Sequence, residues 1–147
     1  MSATLLIDVA TAIKAAIDYA AITYSGNALL VYDYEPRDLD SRPAVTVDGP
    51  TAITRREPDF GESQLGSDDW HLTYTLRIYT DLDDPEGAAR QSRAILGQVI
   101  AAIDADETLG GIADLGAAFA HATREEVAEG DRQMWVYSGD LMVWALV

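Results

Sequence analysis

The stretch from residue 68 to residue 81 constrains the fold more than any other part of the chain. Its large apolar side chains occur at every second position, namely Trp70, Leu72, Tyr74, Leu76 and Ile78. Successive side chains of a β-strand point to opposite faces, so this alternation predicts a half-buried strand.

A long helix is predicted directly after this strand. Asp83 or Asp84 offers an acceptor for free helical amides, Pro85 suits the first helical position, and Glu86 favours the positive end of the helix dipole. An apolar stripe then recurs every three or four residues through Ala88, Ser92, Ile95, Val99, Ala102 and Ile103, widened by Leu96 and Ile100. We therefore expect a strand, a tight turn and a long helix to form the scaffold.

The length, the cysteine content and the net charge limit the classes of protein to which the chain can belong. The 147 residues suit one domain spanning 1–147, and the absence of cysteine excludes disulfides, thiolate zinc sites and cysteine nucleophiles. The net charge is −15 and Lys14 is the sole lysine, which disfavours direct nucleic-acid binding. We find no signal peptide and no apolar run long enough to cross a membrane, so we expect a soluble, unprocessed chain.

The N-terminal part predicts one helix followed by strands. Thr4 or Ser2 caps the helix, which ends near residues 25–27. Its apolar positions are Leu6, Val9, Ile13, Ala16, Ile17 and Ala20. The predicted strands cover residues 28–34, 44–47 and 51–56, with a turn at residues 48–50 between the last two.

Residues 57–69 carry glycine, proline and acidic residues without periodicity, which predicts a long exposed loop. After the long helix, Gly110 and Gly111 permit a sharp reversal, and a strand begins at about Asp114. We expect a hairpin turn at residues 129–131 and a last strand over residues 134–147, interrupted at 138–140 by a bulge or a second turn. This last strand is apolar on both faces, so we expect helices or another subunit to cover both.

No candidate for catalysis, cofactor binding or metal binding emerges from the motifs. Asp69 and His71 share one strand face, but Asp68 points away from them, which does not favour a metal site. The acidic residues at 81–86 do not fit the twelve-residue calcium loop, and helix capping accounts for them. His121 stands alone in an alanine-rich strand, where a structural or surface role is the expectation. Nucleophile-elbow and dinucleotide-binding glycine motifs are also missing.

The chain as a whole resembles the tail terminator proteins of long-tailed bacteriophages, particularly those of actinobacterial hosts. The resemblance rests on the order of elements and on four segments, Gln64–Trp70, Tyr74–Tyr79, Thr108–Gly111 and Tyr137–Val143, together with the helix that starts with Asp-Pro-Glu. It implies an α+β fold, a two-layer sandwich in which two main helices pack on a mostly antiparallel, mixed sheet.

The resemblance also implies a structural virion protein without catalytic residues, assembled in the host cytoplasm and located where the tail meets the neck. Such a subunit forms a homo-oligomer, a hexameric ring, on the tail tube protein. The ring stops tube polymerisation and offers a docking surface to the head–tail connector, while DNA passes through without specific binding.

Head-to-tail contacts in a ring need two different complementary patches on each subunit. Our candidates for subunit-interface or lumen residues come from the acidic loop and the last strand: Asp59, Glu62, Leu65, Asp68, Asp69, Trp135, Tyr137 and Trp144. An acidic lumen would repel the exiting genome. Two alternatives remain open, a neck or head-closure connector of the same virion and, more remotely, a small soluble ligand-binding module or an enzyme.

Overall fold

The computed structural model describes residues 4–37, 39, 43–56, 69–80, 85–129 and 132–146. These residues contain two helices, α1 (Leu5–Tyr19) and α2 (Pro85–Ala105). The strands are β1 (Thr23–Tyr24), β2 (Asn27–Ala28), β3 (Leu30–Tyr32), β4 (Ala44–Arg56), β5 (Asp69–Tyr79), β6 (Gly116–Glu129) and β7 (Arg132–Leu146). β1 and β2 form a small hairpin, and the other five strands form one sheet in the order β3-β4-β5-β7-β6.

The architecture is α+β, and it is broadly a two-layer sandwich, as expected. β3 and β4 pair in parallel, whereas the other neighbours in the five-stranded sheet pair antiparallel, so the sheet is mixed. Both helices pack on one face of this sheet, and their apolar stripes share a core with the helix-facing side chains of β4, β5, β6 and β7. We call that side of the sheet the helix face and the opposite side the open face.

The predicted central strand and long helix are confirmed. β5 lies in the middle of the sheet, and Leu72, Tyr74, Leu76 and Ile78 are at most 2% exposed on its helix face. The helix begins at Pro85, as predicted, whereas the proposed caps Asp83 and Asp84 lie outside the described residues. Its buried side chains follow the predicted stripe from Ser92 to Ile103, with Gln91 as an additional buried member.

The side chain of Tyr74 ties the first helix to the sheet. It is fully buried, and its hydroxyl donates a 2.8 Å hydrogen bond to the carbonyl oxygen of Leu6 in the first turn of α1. Burial raises the pKa of this phenol because the charged phenolate would lose its hydration. The protonated hydroxyl is therefore the form that the fold stabilises.

We expect Tyr74→Phe to lower the free energy of unfolding by about 1 kcal/mol at neutral pH, because the Leu6 carbonyl loses its partner. An unfolded tyrosine ionises at its ordinary pKa of 10.0, below that of the buried phenol. The stability that Tyr74 contributes is thus fully present below pH 10 and is lost as the pH rises towards the raised pKa of the buried phenol.

Urea unfolding from pH 7 to pH 11 should show the wild type losing its advantage over Tyr74→Phe. Tyr19→Phe, at a side chain that is 93% exposed, serves as the control, and an equal effect there would contradict the prediction.

The end of the first helix differs from the prediction. Thr4 occupies the N-cap position, but its hydroxyl donates to the Asp8 carboxylate at 2.8 Å instead of capping a helical amide. The helix ends at Tyr19, well before residues 25–27, and Ala21 just beyond it has a left-handed backbone with φ 49°. Ser25 and Gly26, with φ of 49° and 82°, form the turn of the β1–β2 hairpin instead. Their positive φ therefore serves a hairpin turn and not the end of the helix.

The predicted strand over residues 28–34 is broken into the end of β2 and the short β3. The two strands predicted at residues 44–47 and 51–56 are one strand, so the turn between them is wrong. β4 pairs with β5 on both sides of a bulge, through Asp48 with Thr75 and then Ala52 with Thr73. Pairing with a long neighbour thus overrides the local turn signal of Gly49 and Pro50.

The C-terminal hairpin is confirmed, but the interruption predicted in its second strand is wrong. β6 starts at Gly116, close to the predicted Asp114, and its pairing with β7 continues to Glu129 and Arg132. β7 runs unbroken through residues 138–140, whereas the irregularity lies in β6 between Phe119 and His121.

Candidate assembly surface

The open face of the sheet is polar at its centre. The register places Thr46, Asp48, Thr75, Arg77, Ser138 and Asp140 on this face, opposite the apolar side chains that contact the helices. Thr46, Thr75 and Ser138 are short and buried, because longer charged neighbours cover them. A polar, structured sheet surface of this kind suits contact with another macromolecule better than contact with an apolar ligand.

Arg77 is the centre of a charged network that links distant parts of the sheet. Its guanidinium lies 3.3 Å from the Asp48 carboxylate on β4, with which it forms a hydrogen bond, and 3.7 Å from Glu35, which follows β3. On its other side it lies 3.7 Å from Glu125 on β6. The contact with Glu125 crosses β7 because the residue paired with Arg77 there is the short Ser138.

Burial of the guanidinium lowers the pKa of Arg77, but the Asp48 hydrogen bond and the attraction of Glu35, Tyr79 and Glu125 outweigh this and raise it. Arg77 therefore stays charged, and the three carboxylates around it leave the cluster net negative. Glu35 also accepts hydrogen bonds from the hydroxyls of Thr46 and Tyr79, which hold the segment after β3 against the open face.

Two histidine–aspartate pairs lie on the same face. Nε2 of His71 is 3.3 Å from the Asp69 carboxylate, and Nε2 of His121 is 3.6 Å from the Asp140 carboxylate. The His71 ring also packs edge-on against Trp144, with ring centroids 6.1 Å apart. Among the described residues, no three histidine or acidic side chains converge as a metal site would require.

The two ends of the sheet are unlike each other. β6 forms one end, and no described strand pairs with its outer side. At the other end β3 pairs with β4 over Ala44–Thr46 alone, which leaves the outer side of β4 beyond Thr46 without a partner strand in the described part of the chain. Ile53 on β4 and Leu115 just before β6 are large apolar side chains that are 47% and 51% exposed.

A groove of about 820 Å³ runs between the two helices on the opposite side of the molecule. Alanines from both helices line it, together with Tyr19, Ile22, Gln98 and Leu109. The small side chains leave the groove open, and Gln98 bridges its end by donating to the Thr23 carbonyl at 3.3 Å. The groove is apolar, so it suits an apolar ligand or side chain rather than DNA.

The structure locates four of the eight predicted interface residues, and it does not bring them together in one patch. Asp69 and Trp144 are partly buried on the open face beside His71, whereas Tyr137 packs against the core on the helix face. Trp135 lies in the β7 backbone opposite Glu126. Asp59, Glu62, Leu65 and Asp68 lie outside the described residues, so their assignment stays a prediction.

Only one face of β7 is packed against the helices. Leu141 and Val143 are fully buried there, while Met142 and Trp144 on the open face are partly exposed. Cover on the second face by another subunit therefore stays a prediction.

Sequence reasoning missed Arg77, Glu35 and the two sheet ends. A lone arginine on the polar side of a strand signals solvent exposure, and its three carboxylate partners are remote in sequence. Exposed apolar residues at strand ends can be found only when the strand order is known, because that order decides which strands lie at the ends.

The fold and its surfaces define a two-layer α+β protein with a charged sheet face and two dissimilar sheet ends. Comparison with protein-family models matches no family, and comparison with curated proteins finds no similar sequence. Within the described residues, neither helix combines the length and apolar character that crossing a bilayer requires.

Proposed function

We propose that the chain is a structural virion protein that forms a hexameric ring at the end of a phage tail tube, stops its polymerisation and joins it to the head connector. The observation that carries this proposal is the architecture. The resemblance to tail terminators implies a two-layer α+β subunit with two helices on a mostly antiparallel sheet, and the chain has that fold.

The charge distribution adds support. The chain carries −15, and even the partly buried Arg77 of the open face is outnumbered by Glu35, Asp48 and Glu125. A ring wall of this sign repels the phosphate backbone, so DNA passes without adhering. A ring whose inner wall is neutral or basic would contradict this part of the proposal.

The role at the tube end is tested by removing the protein from the virus and examining the particles by electron microscopy. We expect tails of uncontrolled length, or filled heads without tails, with rescue by the wild-type protein supplied in trans. Normal tails joined to heads would refute the proposal. Labelling the protein in finished particles separates the tube end from the head side of the neck, where a head-closure connector would lie.

The helix groove supports the remote alternative of a ligand-binding module. Its volume and mostly apolar lining lie in the range of small-molecule sites. A panel of apolar metabolites should leave the melting temperature unchanged if the protein is an assembly subunit. A ligand-dependent rise in melting temperature that Ala101→Trp abolishes, in a protein that stays monomeric, would favour the module, because Ala101 lines the groove and is exposed.

A further inference from the structure

We infer that copies of this chain join by pairing the outer side of β6 of one copy with the uncovered outer side of β4 of the next, so that the sheet continues across the subunit boundary. This inference rests on the proposed ring and names the surfaces that close it. Each subunit uses two different edges, as a head-to-tail contact requires.

The first argument is that, within the described residues, no strand pairs with the outer side of β6 or with the outer side of β4 beyond Thr46. β6 presents 14 residues, and β4 presents its second half, from Val47 to Arg56. Natural proteins protect edges with lysine, proline, charged residues, β-bulges or very short strands. β4 has a bulge with Pro50 between Asp48 and Ala52, and β6 has a bulge between Phe119 and His121. Outside these bulges, residues 116–119 of β6 are Gly-Ala-Ala-Phe and residues 52–54 of β4 are Ala-Ile-Thr, so these segments carry none of the protective features. The backbone groups on their outer sides are available to a neighbouring strand.

The second argument is direction. β4 is antiparallel to β5, β5 to β7, and β7 to β6, so β6 and β4 run in opposite directions within one subunit. A neighbour that extends the sheet in the same orientation brings its β4 alongside β6 as an antiparallel strand. Antiparallel pairing is also the arrangement that β4 with β5, β5 with β7, and β7 with β6 already use within the sheet.

The third argument is the match of apolar side chains. Ile53 pairs with Leu72, Leu72 with Val143, and Val143 with Ala117. Ile53 and Ala117 therefore lie in the same row of paired residues across the sheet. Leu115 is two residues before Ala117, and its N–H donates to the Trp144 carbonyl as a continuation of the ladder. Pairing of the two edges therefore brings Ile53 of one copy beside Ala117 and Leu115 of the next, and buries two exposed apolar side chains.

The test uses two variants that each block one edge, Ile53→Lys and Leu115→Lys. Both side chains are about half exposed, so the variants should fold, which circular dichroism and thermal melting check. Ile7→Lys is the matched control, because Ile7 is 68% exposed on α1, away from both edges. Light scattering after size exclusion should show that the wild type and Ile7→Lys associate, whereas each edge variant associates at least roughly tenfold more weakly.

Mixing the two edge variants gives the decisive result. Ile53→Lys retains a free β6 edge and Leu115→Lys retains a free β4 edge, so the mixture should form a 1:1 dimer and nothing larger. A wild type that stays monomeric at millimolar concentration, edge variants that associate normally, or a mixture without dimers would each overturn the edge pairing. The tail phenotype is measured on particles, so it can support or refute the terminator role whatever the outcome here.

Discussion

Replacing Gly139 with valine should lower the free energy of unfolding by about 2–3 kcal/mol, because the space beside its Cα is filled by an aromatic ring. A Cβ at this position would lie 2.8 Å from Cε1 and 3.2 Å from Cδ1 of Phe119, and 3.6 Å from the Cβ of Ala122. Phe119 on the neighbouring strand packs against the core, so its ring cannot withdraw without loss of apolar contact. Urea unfolding monitored by circular dichroism measures the change.

Gly97→Ala is the control for a glycine substitution. No neighbouring atom lies within 4 Å of the position of its Cβ, and Gly97 occupies the interior of α2. Alanine there should stabilise the protein by about 1 kcal/mol, because glycine loses more backbone entropy in a helix. The two substitutions should therefore change the free energy of unfolding in opposite directions. A Gly139→Val variant as stable as the wild type would show that the Phe119 ring does not occupy this space.

The elements predicted best were those whose periodic pattern extends over many residues. β5 and α2 each carry a long apolar repeat, and each lies where that repeat indicated. Such patterns survive folding because the core requires the same alternation.

The errors occurred where a local turn signal competed with long-range pairing. Gly49 with Pro50, and Ser138 with Gly139, are typical of turns, yet both lie inside long strands that are paired on either side of them. In β7 the glycine is required by the ring of Phe119 rather than by a turn. Sequence order cannot show this, because Phe119 and Gly139 meet only after β6 and β7 pair.

The candidate site was the part least accessible to sequence reasoning. The two-residue alternation of the central strand puts Arg77 on its polar side, but the role of Arg77 depends on carboxylates from three other parts of the fold. The open edges depend in the same way on the order of strands. Composition predicted an acidic surface, and only the strand order assigns particular residues to it.

Arg77→Met should lower the free energy of unfolding by about 2–3 kcal/mol at neutral pH and low salt. The Arg77 side chain is 25% exposed, so its ion pairs are only partly screened by solvent. Methionine retains most of the apolar stem but leaves Glu35, Asp48 and Glu125 without their shared cation. The loss should shrink as salt is added, because salt screens the repulsion among these carboxylates.

Arg90→Met controls for the loss of one surface ion pair. Arg90 is 69% exposed and contacts Glu86 at 2.6 Å one helical turn away, so its removal should cost less than about 0.5 kcal/mol. Arg77→Lys separates charge from geometry, because lysine keeps the charge but cannot present the planar guanidinium to carboxylates on both sides. If the planar guanidinium holds β4, β5 and β6 together, Arg77→Lys should recover less than half of the free energy of unfolding that Arg77→Met loses. Full recovery would mean that the cluster needs a positive charge alone, and equal losses for Arg77→Met and Arg90→Met would mean that the network does not stabilise the sheet.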